Sequence, residues 1–125
     1  MDLEDYFYDS VVRGHHIYKS TWTPFAGEVL SVNEEDGNEH DHYAVSVLKN
    51  EITVGHVPRE VSRIFYFFLR HGGTISCEIT GHHKFGHGLE VPCCYKLSSK
   101  PKHIKKALQL LELKKKKAKE RTVPY

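Results

Sequence analysis

The sequence predicts a small, mainly β domain: a partly closed antiparallel barrel with one inserted helix and a basic helix at its C-terminal end. Three observations carry the prediction. Short runs of alternating apolar residues recur between turn residues. Only one internal segment changes to helical period. A chain of 125 residues suffices for one modest core but not for two. Short strands in so small a domain bury their apolar faces most readily when the sheet curls on itself.

Taken in order, residues 1–10 ("MDLEDYFYDS") are acidic and read as a frayed N-terminal extension to a barrel domain spanning 11–98. "VVRGHHIYK" is rich in β-branched and aromatic residues and forms a first strand. "TWTPFAG" punctuates it with Pro24 and Gly27, and "GEVLSVN" alternates as a second strand. A polar connection, "NEEDGNEHDH", leads into "YAVSVLK" and "ITVGHV", two runs separated by "NE", which is hairpin spacing. In "PREVSRIFYFFLRHGG" the period changes: Val57, Val61, Ile64 and Phe68 recur at helical spacing, Pro58 suits a first turn, and Gly72-Gly73 supplies the stop. "TISCEIT" is a further strand and "GHHKFGHG" a loop. "LEVPCCYKL" is a last strand that Pro92 bends or confines to an edge. The segment 99–125 contains "PKHIKKALQLLELKKKKAKER", which places Ile104, Ala107, Leu108 and Leu111 on one face of an amphipathic helix with a basic tail.

The formal charge is only +2, but acids dominate the first third and lysines the end. A basic end on a near-neutral body points to a polyanionic partner, nucleic acid being the commonest; a solvated Lys-rich helix explains the same run. The three cysteines are odd in number, Cys93 and Cys94 are adjacent, and no signal-peptide-like segment precedes them. A reduced, intracellular compartment is therefore expected. The longest apolar run, "IFYFFL", is far shorter than the ~20 residues of a spanning helix, so no membrane partner is predicted.

The polar clusters fail the tests for common chemistries. Counted as a calcium loop from Asp36, Asn38 and His40 fit alternate positions, but Asp41 falls where Gly is needed and Val47 where a bidentate Glu is needed. His82, His83, His87, Cys93 and Cys94 offer zinc ligands by type, yet adjacent cysteines on a strand face opposite ways. Neither a nucleophile elbow nor a phosphate-binding Gly-rich loop is present. The expectation is a non-enzymatic module without a metal or other cofactor. Nucleic-acid binding fits better, since small barrels stack bases on aromatics and track phosphates with basic groups. Tyr18, Trp22 and Phe85 are the candidate aromatics and Lys19, His56, Arg59 and Lys84 the candidate donors, whereas Phe65, Phe67 and Phe68 of the helix read as core.

Gly27, Glu28, Leu30, Glu35, Asn38, Asp41, Ala44, Val45 and Val47 stand in a spaced pattern that is followed by "VGHVPRE", a helix, "GGTISCEITG" and "GHGLEVP". Together these resemble a HIRAN domain over residues 11–97. The resemblance implies a modified oligonucleotide-binding barrel, found fused to fork-remodelling helicase-like ATPases or standing alone, that captures the 3′-hydroxyl end of single-stranded DNA. It implies that Asn38 and Asp41 hold the terminal nucleotide and its hydroxyl, and that His56 and Arg59 contact phosphates. His40 stands where the family has a base-stacking Tyr, and Gly37 where it has a second Asn; the family's Arg-Tyr pair on the early strand has no single counterpart in this shorter stretch, Lys19 and Trp22 being the candidates to replace it. The implied partners are single-stranded DNA ends and a helicase or other DNA-repair protein, and the implied residence, with "KKKKAKER", is the nucleus.

Two alternatives stay open at this stage. Asx side chains close turns by bonding nearby backbone N–H groups, so Asn38 and Asp41 serve equally well as turn residues. The chain also reads as a protein-interaction adaptor, the barrel a scaffold and the helix from Pro101 the docking element.

Overall fold

The computed structural model describes residues 2–14, 22–81, 84–86 and 88–122. Over the described residues seven strands and two helices follow in the order β1 (Glu4–Arg13), β2 (Val29–Glu34), β3 (Val45–Lys49), β4 (Ile52–His56), α1 (Arg59–Arg70), β5 (Thr74–Ile79), β6 (Lys84–Gly86), β7 (Gly88–Ser99) and α2 (Pro101–Thr122). All pairings are antiparallel, and the order β1-β4-β3-β2-β5-β7 returns to β1, so that six strands close a barrel and β6 hangs on β7 as a short hairpin arm. This is the mainly β, oligonucleotide-binding-like barrel predicted from sequence, with its ring completed.

The ring is joined unevenly. β1 and β7 are zipped over ten residue pairs, from Glu4 opposite Ser99 to Arg13 opposite Glu90. Among the described residues β1 meets β4 at one pair, Arg13 opposite His56. Gly55 makes that crossing possible: a Cβ there would lie 2.4 Å from Val12 Cγ1 and 2.9 Å from the Arg13 carbonyl oxygen. Only a residue without a side chain lets the two backbones approach so closely.

The expected frayed start is instead the first half of β1. Its acids hid a period-two pattern: Tyr8 and Val12 are buried and Tyr6 packs on the core, while Asp5 faces outward, accepting a hydrogen bond from Ser98 Oγ at 2.5 Å and lying 3.8 Å from Lys96 Nζ. The turn between β3 and β4 uses Asn50 and Glu51 in left-handed conformation, φ 51° and 68°, the geometry that matches hairpin twist. Asn tolerates it readily; Glu does so because the two strands dictate it. Pro92 lies in β7, a strand with neighbours on both sides, rather than at an edge. Its carbonyl accepts from Thr80 N–H just past the last β5 pair, Ile79 with Cys93, so its missing donor falls where β7 passes from β5 to β6.

The core fills the ring and its α1 mouth. Val32, Val45, Val47, Val54, Ile75, Cys77, Val91 and Leu97 point inward from the strands, and Phe65 and Phe68 enter from α1. Each such side chain stabilises by about 1.5–3 kcal/mol relative to exposure. Tyr95 is fully enclosed, its ring edge-on to Phe65 at 5.1 Å and its hydroxyl donating to the Val11 carbonyl at 2.7 Å; burial pushes that phenol well above its ordinary pKa. Within α1 the buried stripe is Val61, Ser62, Phe65 and Phe68, with Ile64 only half-buried. Phe67, expected in the core, is 40% exposed. In α2 Ile104, Ala107 and Leu111 are buried as expected, but Leu108 is on the solvent side, because the helix rests on the barrel rim along a narrower stripe than its apolar content suggests. Among the described residues no helix is long and apolar enough to cross a membrane.

Candidate functional site

The polar connection between β2 and β3 is a loop built by its own side chains. Gly37, with φ +81°, turns the chain after Asp36. Asn38 Oδ1 then accepts the backbone N–H of His40 at 2.9 Å and of Asp41 at 3.0 Å, and Asp41 Oδ1 accepts that of Tyr43 at 2.9 Å. Two successive Asx turns of this kind replace backbone pairing in the loop. Its ends are tied by the Glu35 N–H, which donates to the Ala44 carbonyl at 2.9 Å.

Glu35, to which the sequence assigned a place in the spaced pattern but no role, is the hub of this arrangement. Its Oε2 accepts from Asn38 Nδ2 at 3.0 Å and lies 3.0 Å from His56 Nε2. Partial burial pushes the Glu35 carboxyl up, but hydrogen bonds from Asn38, His56 and Ser46 outweigh it and hold the group below the ordinary carboxylate range. With Glu35 ionised, His56 Nε2 is the nitrogen that carries the proton. The signal for Glu35 was in the sequence: it opens the same Glu, Asn, Asp spacing, six residues before Asp41.

Arg59 opens α1 on the opposite side. Its Nη2 donates to the His40 carbonyl at 3.1 Å, and its Nε stands 3.7 Å from Asp41 Oδ2. Pro58 precedes it as the residue before the first helical turn, with no side-chain hydrogen bond to cap the amides. A helix start of this kind favours negative charge. Glu60, next along, is already neutralised by Arg13, whose Nη1 lies 2.6 and 2.8 Å from its two carboxylate oxygens; Arg13 Nε also reaches Glu90 at 3.2 Å.

These elements enclose an open cavity of ≈ 210 Å³ lined by Asn38, His40, Asp41, Ala44, Val45, His56, Val57 and Arg59. Five residues singled out from sequence (Asn38, His40, Asp41, His56 and Arg59) thus converge on one place. Small-molecule sites usually run to about 300–1,000 Å³, so the cavity suits the end of a ligand rather than the whole of one. Asn38 is spent on the loop, with both carbonyl lone pairs and one amide hydrogen engaged. Asp41 differs. Oδ1 closes a turn, while Oδ2 faces Arg59 beyond hydrogen-bonding distance, leaving a carboxylate acceptor at the cavity wall.

The remaining candidates fall elsewhere. Trp22 is not a stacking platform: it is 2% exposed, in the core, and its Nε1 donates to the buried Glu28 Oε1 at 2.9 Å. Glu28 in turn holds Lys49 Nζ at 2.7 Å. An indole with its N–H satisfied inside the barrel offers no face to a base. Tyr18, Lys19, His82, His83 and His87 lie outside the described residues, and so do the side chains of Lys84 and Phe85, whose backbones form β6. Cys93 is buried beside Cys77 and Cys94 lies half-buried on the other face; the hydrogen bond that the Cys77 thiol donates to Cys93, together with burial, pushes that thiol up and keeps it unreactive. Among the described residues no three His, Cys, Asp or Glu side chains come together as a metal site.

No family model and no curated protein matches the chain. Solved structures do. The crystal structure of the HIRAN domain of human HLTF superposes with a TM-score of 0.69 at 19% identity, covering 86% of this chain and 88% of that one. The NMR structure of the HLTF HIRAN domain in its DNA-bound conformation gives 0.66 at 16% identity, over 86% and 87% of the two chains. A protein from Lactobacillus plantarum matches with 0.54 at 17% identity, over 76% of this chain and 98% of that one. The fold is that of the HIRAN domain.

Proposed function

We propose that this chain is a non-catalytic nucleic-acid-binding module that takes the 3′-hydroxyl end of single-stranded DNA into the cavity between the 35–44 loop and the start of α1. The observation that carries the reading is Asp41 Oδ2, a carboxylate acceptor held at the cavity wall by a side chain whose other oxygen is fixed in a turn. A carboxylate accepts the proton of a terminal hydroxyl and repels a terminal phosphate. Arg59 stands at the cavity as a donor to the preceding phosphate, His56 lines the same wall with its Nε2 turned to Glu35, and the exposed His40 offers an imidazole face to a base. The DNA-bound state of one protein with this fold supports the class of ligand. The lysines of α2 add affinity that falls with salt, and nuclear residence belongs with the same reading.

The test is fluorescence-anisotropy titration of single strands ending in a 3′-hydroxyl or a 3′-phosphate, and of the blunt duplex, at two salt concentrations. Selective binding of the hydroxyl end that persists in salt supports the reading. Equal, weak binding of all three that vanishes with salt reduces the interaction to the lysines.

The adaptor reading has one observation in its favour, the exposure of Leu110 and Leu113 on α2, 39% and 50%. It is the weaker reading because the opposite side of the same helix, through Ile104, Ala107 and Leu111, is already committed to the protein's own core.

A further inference from the structure

Beyond the cavity, α1 carries a second cluster that the end-binding site does not use. Tyr43, Tyr66 and Phe67 form three mutually contacting rings, with centroids 5.4–5.5 Å apart. Arg63 lies over Tyr43 at 4.9 Å and over Phe67 at 5.9 Å, and Arg70 over Tyr66 at 5.8 Å. Large aromatics on a helix normally turn inward, as Phe65 and Phe68 do, yet Phe67 remains 40% exposed.

The cluster is continuous with the cavity. Arg63 is one turn beyond Arg59 on the same side of α1, and Tyr43 is fixed by its N–H bond to Asp41 Oδ1 at 2.9 Å. Arg59, Arg63, Phe67 and Arg70 therefore form a stripe about 16 Å long, the span of at most about five stacked nucleotides at about 3.4 Å each. The carboxylates facing it are Asp41 and Glu34, at 3.7 Å from Arg59 and Arg70 respectively. The ion pairs among the described residues do not include Arg63. Cationic groups interleaved with aromatic faces are what a single-stranded nucleic acid uses as a track, phosphates to arginine and bases to rings.

We infer that the Arg63, Tyr43, Phe67 and Arg70 surface binds the nucleotides immediately 5′ of a captured 3′ end. This inference rests on the end-binding reading above and adds to it the path of the strand.

The experiment uses the full chain with 5′-labelled oligo(dT), a trinucleotide and a decanucleotide, both ending in a 3′-hydroxyl. The wild-type protein is expected to bind the decanucleotide at least about tenfold more tightly than the trinucleotide. Arg63→Ala and Phe67→Leu, the latter keeping an apolar side chain in place of the ring, are expected to lose about that factor on the decanucleotide and clearly less on the trinucleotide, whose two nucleotides 5′ of the end reach only the near end of the stripe. Equal affinity for both lengths, or variants indistinguishable from wild type on the decanucleotide, overturns the track and leaves the cavity reading intact. No binding of the trinucleotide overturns the cavity reading, and the track with it.

Discussion

His56 Nε2 lies 3.0 Å from Glu35 Oε2, tying the last residue of β4 to the loop that follows β2. The same oxygen holds Asn38, so one carboxylate fixes both the loop and the histidine across the cavity. Glu35→Gln is expected to cost roughly 1 kcal/mol in a chemical denaturation curve, modest because the pair is partly solvated, and to weaken binding of 3′-hydroxyl strands. A double cycle with His56→Ala checks that the two residues act together.

Acid carries the same signature. The Glu35 carboxyl is held below its ordinary value of 4.5, so its contribution is fully present above that value and is lost as pH falls through the lower, folded-state value. The wild-type protein should lose stability below about pH 4.5 more steeply than Glu35→Gln. Melting curves across pH 3–6 measure this; parallel profiles for the two proteins contradict it.

At Asp41 the two roles of one side chain can be separated. Asp41→Asn retains an oxygen for the Tyr43 N–H and so keeps the turn, but presents an amide donor where Oδ2 stood. Discrimination between 3′-hydroxyl and 3′-phosphate ends is expected to fall about tenfold or more, with the melting temperature nearly unchanged. Asp41→Ala removes both functions and should lower stability as well. If the Asn variant discriminates as wild type does, Asp41 is a turn residue and nothing else.

Gly55→Ala places a Cβ against Val12 and the Arg13 carbonyl. Overpacking of this kind costs typically about 1–3 kcal/mol, and the backbone contact puts this site at the upper end. The expected readout is a lower denaturation midpoint with faster hydrogen exchange at the β1 to β4 junction.

Removing residues 101–125 strips Ile104, Ala107 and Leu111 from the core. Since a single buried Leu→Ala change costs about 2–5 kcal/mol, the truncated chain is expected to be unfolded or nearly so. Leu113→Glu, on the exposed side, should leave stability within about 0.5 kcal/mol of wild type.

Where one residue type serves one periodicity, the sequence was a good guide. β5 alternates as "TISCEI" and buries Ile75, Cys77 and Ile79; the "HVPRE" step from strand to helix puts His56 and Arg59 on the cavity. The guide failed where charge masked pattern, as in β1, where Asp5 and Asp9 on the outer face hid the inward Tyr8 and Val12. It failed again where three-dimensional neighbours decided exposure: Trp22 is enclosed by the barrel, while Phe67 and Leu108 sit one helical position away from their buried faces. Glu35 was visible as a letter but not as a hub, because its partners lie three and twenty-one residues away.

The junction of Arg13 with His56 gives the barrel the mechanics of a buckled hoop: among the described residues nearly all of β1's grip is on β7, and one stud fastens it to β4. That stud is also a wall of the cavity. A ligand that immobilises His56 therefore tightens the fastening, and one that pulls it aside loosens the hoop, so occupancy of the cavity and resistance of the barrel to opening draw on the same residue.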